Sequence, residues 1–171
     1  MKNGARYVVT THWGTFSLDE GAYQDYLAGN LWICWTPGAP RRQNQETAGH
    51  NPPHVTDQAI ALRDRADKMG ILPTLSQLGV HEATVPYCSR LDELRIDEMN
   101  LTVRSSNGLK RAGIHTFGRL KEVLAMEDGL LKIRNIGQKS VREIRQLFFE
   151  ECYCRLHPYE KACYWQEVLD T

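Results

Sequence analysis

Between Thr102 and Phe149 helix starts and stops follow one another so closely that only short helices fit. Thr102 is a candidate N-cap for a helix over residues 103–112, and Gly113-Ile114 then reads as a turn. Thr116 caps a second helix over 117–123, and 127–133 reads as a third. Asn135-Ile136-Gly137 is a tight turn before a longer helix over 138–149, where Val141, Ile144, Leu147 and Phe148 share one face. Isolated helices shorter than about 12–15 residues are marginal in water. These segments must therefore share a core, and the expectation is a compact all-α domain.

Charge is unevenly spread along the sequence. The 171 residues carry a formal net charge of +0, which by itself implies no polyanionic partner. Between residues 100 and 147, however, the basic residues are Arg104, Lys110, Arg111, Arg119, Lys121, Lys132, Arg134, Lys139, Arg142 and Arg145. They face only Glu122, Glu127, Asp128 and Glu143. After Glu150 the balance reverses, with Glu151, Glu160, Glu167 and Asp170 against Arg155 and Lys161. A basic segment of this kind is the electrostatic footprint of nucleic-acid binding, and a solvated helix surface gives the same pattern. Charge alone does not separate the two.

Helix geometry adds detail. At 100° per residue, Arg104, Asn107, Gly108 and Arg111 fall on one side of their helix, with Leu109 and Ala112 on the other. Glycine inside a helix costs about 1 kcal/mol relative to alanine. An outward-facing Gly108 is explained if another backbone approaches closely there. Asn135-Ile136-Gly137 leaves free N–H groups at the start of the next helix, a natural phosphate site. Lys139 and Ser140 lie in that first turn, where the helix dipole disfavours lysine and a bound anion would relieve the conflict.

Three segments, LTVRSSNGLK at 101–110, IHTFGRL at 114–120 and LLKIRNIGQKSVREI at 130–144, carry a resemblance in order and spacing. Over about residues 91–150 the sequence resembles the C-terminal domain of bacterial RNA polymerase alpha subunits. The resemblance implies compact helices with helix-hairpin-helix elements that bind the minor groove of A/T-rich double-stranded DNA. It also implies RNA polymerase, sigma factors and transcription regulators as partners. It points to Arg104, Asn107 and Gly108 as DNA-binding residues on the first helix, with Arg111 on the same side. The second cluster is Gly137, Lys139 and Ser140, with Glu143 beside it. Arg134 stands where the family commonly has proline, which adds charge next to the turn and removes a rigid residue.

The remaining segments are read from their residues alone. Residues 7–13 form a strand rich in Val, Thr and aromatics, Ser17 caps a helix running to about Ala28, and 31–35 form a second strand. Trp13, Phe16, Tyr23, Tyr26, Trp32 and Trp35 would build a small core or part of a partner surface. Residues 55–69 form a helix capped by Thr56 or Asp57 and stopped by Gly70, residues 73–78 add a turn or two, and 80–89 is ambiguous, extended backbone being one reading. The expected fold class is α+β. It comprises a β-α-β-like region at 1–36, a linker at 37–54, a helical connector at 55–90, and a helix-hairpin-helix-like domain with its helical tail at 91–171.

Other chemistry is excluded on residue grounds. Cys152, Cys154, His157 and Cys163 lack the spacing of a zinc site, and on a continuous helix Cys152 and Cys154 point apart. No Walker loop, dinucleotide fingerprint or nucleophile elbow is present, and no catalytic set can be named, so neither cofactor nor enzymatic activity is expected. Residues 1–16 lack the apolar stretch of a secretory leader, no stretch is long enough to span a membrane, and the five cysteines read as reduced thiols in a cytoplasm. The expected function is transcription-related DNA binding through the C-terminal module. The alternative is an adaptor that engages sigma or a regulator without DNA.

Overall fold

The computed structural model describes residues 6–11, 14–28, 55–81 and 83–171. The protein divides into two compact units: Ser89–Cys152, and a second one built from Met1–Cys88 together with Tyr153–Thr171. Among the described residues no helix is long and apolar enough to cross a membrane.

The discontinuous unit begins with strands β1 (Tyr7–Thr11) and β2 (Gly14–Leu18), paired antiparallel with Val9 opposite Phe16. A second strand over Gly14–Leu18 stands where the helix was expected to begin. Ser17 lies inside β2, and the cap of helix α1 (Glu20–Leu27) is Asp19, whose carboxylate accepts the Ala22 N–H at 2.9 Å. The alternation Gly-Thr-Phe-Ser-Leu suits a strand, because it puts Phe16 on the same face as the fully buried Val9. Tyr7 stacks on Tyr23 of α1 with ring centroids 4.3 Å apart, and its hydroxyl donates to Glu20. The expected strand at 31–35, the linker, and Trp13, Trp32 and Trp35 lie outside the described residues.

Helix α2 (Asp57–Met69) is capped by Thr56, as its sequence indicates, and ends at Gly70 with φ 93°. Helix α3 (Ile71–Gln77) follows directly. The last helix, α7 (Pro158–Leu169), packs along α2. Lys161 Nζ meets Asp67 at 2.7 Å, and the Gln166 side chain accepts both the N–H and hydroxyl of Thr56. Behind these polar contacts Trp165, Tyr164 and Tyr153 pack edge to face, and Trp165 Nε1 donates to the Tyr153 hydroxyl at 2.8 Å. Burial pushes both tyrosine hydroxyls well above the ordinary phenol range. The tail thus differs from its expected place in the C-terminal helical domain, since its apolar face is matched to α2.

The continuous unit contains α4 (Val103–Arg111), α5 (Phe117–Ala125) and α6 (Gln138–Cys154), the last extending past Cys152. Thr102 and Thr116 cap α4 and α5. The segment before α4 pairs with the start of α5: Ile96 N–H donates to His115 O at 3.0 Å and Phe117 N–H to Leu94 O at 2.8 Å. Ile96, Leu109, Ile114, Phe117, Leu120, Ile144 and Phe148 form the core. The expected helix at 127–133 is a run of turns. Asp128 takes φ 54°, and a Cβ on Gly129 would lie 2.2 Å from the Val123 carbonyl, so the backbone folds back onto the end of α5. On α6, Cys152 is buried and Cys154 exposed.

Candidate nucleic-acid interface

Helix α4 sorts its residues by side. Ser105, Gly108 and Leu109 are buried, at the i, i+3, i+4 spacing of a core-facing stripe. Val103, Arg104, Asn107 and Arg111 are exposed, Val103 to 77%. The arginine and asparagine positions therefore face outward as expected. Gly108 does not: a Cβ there would meet Ile136 Cγ1 at 2.8 Å and Cδ1 at 3.0 Å. The expectation of an outward glycine approached by another backbone is corrected on this point. Gly108 has no side chain because the turn before α6 docks its isoleucine there.

That turn is shaped by Asn135, which takes the left-handed φ of 70°. Asparagine tolerates this conformation better than most residues. Ile136 is carried inward, and Gly137 and Lys139 stay exposed. Val141 N–H donates to Gly137 O at 3.0 Å, so Gly137 precedes α6. The N–H groups of Gln138, Lys139 and Ser140 then head a helix of 17 residues, the positions that have no acceptor within the helix itself. Ser140 is buried, and its backbone N–H is among those that head the helix.

A second contact fixes α4 to α6. The Glu143 carboxylate accepts the Thr102 N–H at 2.6 Å, the Thr102 hydroxyl at 3.0 Å and the Ser105 hydroxyl at 2.6 Å. Burial alone would raise this carboxyl, but the hydrogen bonds from Ser105 and Thr102 outweigh it and hold the pKa below the ordinary range. Glu143 thus satisfies the start of α4, where a carboxylate also complements the helix dipole. Sequence reasoning placed Glu143 beside the site without seeing this role. Its signal was a lone acid on an otherwise basic helix face.

Together the Gly108–Ile136 and Glu143–Thr102/Ser105 contacts bring the two sequence clusters onto one module surface. The exposed members are Arg104, Asn107, Arg111, Gly137 and Lys139; Gly108 and Ser140 lie beneath them. Elsewhere in the unit, three cations are matched to carboxylates. Arg95 and Lys110 both meet Asp97, at 2.9 and 2.6 Å, and Arg119 meets Glu122 at 2.5 Å. Hydrogen bonds from Lys110 and then Arg95 hold the Asp97 carboxyl below its usual range. Arg104, Arg111 and Lys139 have no such partner among the described residues. The surface can therefore offer anions three unneutralised cations and a helix N-terminus.

These features define a small helical module with an exposed cationic surface. Residues 88–149 match the family model of the C-terminal domain of the bacterial RNA polymerase alpha chain. The chain is 58% identical over 52 residues to the DNA-directed RNA polymerase subunit alpha of Acidothermus cellulolyticus, covering 30% of this sequence and 15% of that protein. It is 60% identical over 52 residues to the subunit of the same name from Frankia alni, covering 30% of this sequence and 14% of that protein. The match thus spans 14–15% of the length of these relatives. No solved structure matches the protein.

Proposed function

We propose that the Ser89–Cys152 module binds duplex DNA, in transcription and alongside RNA polymerase, and that it acts by binding rather than by catalysis. The observation that carries this reading is the sorting of charge. Arg95, Lys110 and Arg119 are neutralised by the module's own carboxylates, whereas Arg104, Arg111 and Lys139, like Arg142 and Arg145 further along α6, are exposed and without an ion-pair partner among the described residues. The name of the relatives, RNA polymerase alpha subunits, supports the setting in transcription.

The mechanism follows from side-chain reach. Arg104 is long and stands beside the exposed Val103, with the shorter Asn107 one turn on. The arginine enters the minor groove while the N-terminal amides of α6 and Lys139 hold a phosphate. A-tracts narrow that groove and strengthen its negative potential, which draws in arginine without a base code. A/T-rich duplexes are therefore preferred over G/C-rich ones. Fluorescence titration against matched duplexes tests this. Arg104→Ala should weaken A/T-rich binding more than G/C-rich binding, whereas Arg119→Ala, at a residue already paired with Glu122, should leave both nearly unchanged. Equal loss on both duplexes would reduce Arg104 to a phosphate contact and remove the minor-groove mechanism.

A further inference from the structure

Two more cations share this surface without belonging to either cluster. Arg142 and Arg145 follow Lys139 along α6 at three-residue steps, and all three are exposed. The opposite side of the helix is occupied by Val141, Ile144 and Phe148, all buried in the module core. Six residues of helix separate Lys139 from Arg145, a rise of about 9 Å at 1.5 Å per residue. The acid among them, Glu143, is taken up by Thr102 and Ser105. Neither Arg142 nor Arg145 has an ion-pair or hydrogen-bond partner among the described residues.

We infer that Arg142 and Arg145 form a second phosphate-contacting stripe, which extends the DNA footprint down α6 beyond the groove contact of Arg104 and the helix start at Lys139. This rests on the DNA-binding reading above. Placement favours DNA phosphates as the occupant. The stripe follows Lys139 along the same helix, so it continues from the helix start that forms part of the proposed interface. Regularly spaced arginines match a regularly spaced polyanion, and a stripe of this kind adds affinity without adding base discrimination.

The test is a salt titration of full-length wild type and the R142Q/R145Q double variant on the A/T-rich and G/C-rich duplexes. Each phosphate contact contributes about 0.9 to the slope of log K against log salt. The double variant should lose about 1.8 from that slope on both duplexes, so its deficit against wild type should shrink about tenfold between 50 and 200 mM salt. The ratio of A/T-rich to G/C-rich affinity should stay as in wild type. Both side chains are exposed, so an unchanged thermal midpoint will show that the variant is folded. Wild-type binding with an unchanged slope in the variant overturns the stripe and leaves the DNA-binding reading standing. That result combined with weaker capture of the variant on poly-glutamate assigns the stripe to an acidic protein surface and likewise overturns it. Failure of wild type to bind either duplex overturns the underlying reading and the stripe with it.

Discussion

At Gly108 the missing side chain is used inside the protein. Helix periodicity groups it with Arg104, Asn107 and Arg111, but a 100° step leaves the edge of a face ambiguous, and Gly108 falls on the buried edge. The two interpretations differ in sign for one substitution. An outward glycine replaced by leucine would gain about 1 kcal/mol of helix propensity. With Ile136 Cγ1 only 2.8 Å from where a Cβ would stand, Gly108→Leu must instead displace the turn before α6. Overpacking of this kind costs about 1–3 kcal/mol, and larger side chains have nowhere else to go. Urea denaturation should therefore find Gly108→Leu less stable than wild type; a more stable variant would mean that the glycine faces solvent after all.

Among the elements, α4 and α6 depend on each other through Glu143. Its carboxyl is held below the ordinary range in the folded protein. A carboxyl depressed on folding contributes stability that is fully present above its unfolded pKa, about 4.3, and is lost as pH falls through the folded value. Replacing it with glutamine weakens the clasp at neutral pH by about 1 kcal/mol, the order of one hydrogen bond. Thermal unfolding from pH 7 to pH 3 should show wild type and Glu143→Gln converging as the pH drops. Parallel curves would mean that the carboxylate does not support the α4 start.

Element boundaries were legible where a local signal decides them. Thr56, Thr102 and Thr116 each bear the cap hydroxyl immediately before a helix, and Gly70 stops one. The misses come from contacts that no local pattern encodes. Residues 14–18 are a strand because Phe16 answers Val9 across the hairpin, which moves the α1 cap from Ser17 to Asp19. Residues 127–133 have helix-forming composition, but Asp128 and Gly129 turn the backbone back against the Val123 carbonyl. The burial of Gly108 and Ser140 depended on how the turn packs, which no local motif encodes.

For the molecule as a whole, the two units differ in how much their sequences disclose. The Ser89–Cys152 unit is continuous in sequence, so its caps, turns and clusters lie in one readable stretch. The other unit joins α2 to α7 across some 90 residues or more of intervening sequence, through pairs such as Thr56 with Gln166 and Asp67 with Lys161. Tyr159, Tyr164 and Trp165 announce that α7 has an apolar face, but nothing local to them names α2 as its cover.

The central claim is that the outer face of α4, the turn at 135–137 and the first half of α6 meet DNA as one surface. Amide NMR of the full-length protein, titrated with an A/T-rich duplex, tests it most directly. Resonances of residues 102–111 and 135–146 should shift together, and the shifts should diminish as salt is raised, while α2 and α7 stay in place. Shifts confined to the β1–β2 hairpin or to α2 and α7, or none at duplex concentrations well above the roughly 10⁻⁴–10⁻⁶ M typical of non-specific binding, would contradict it.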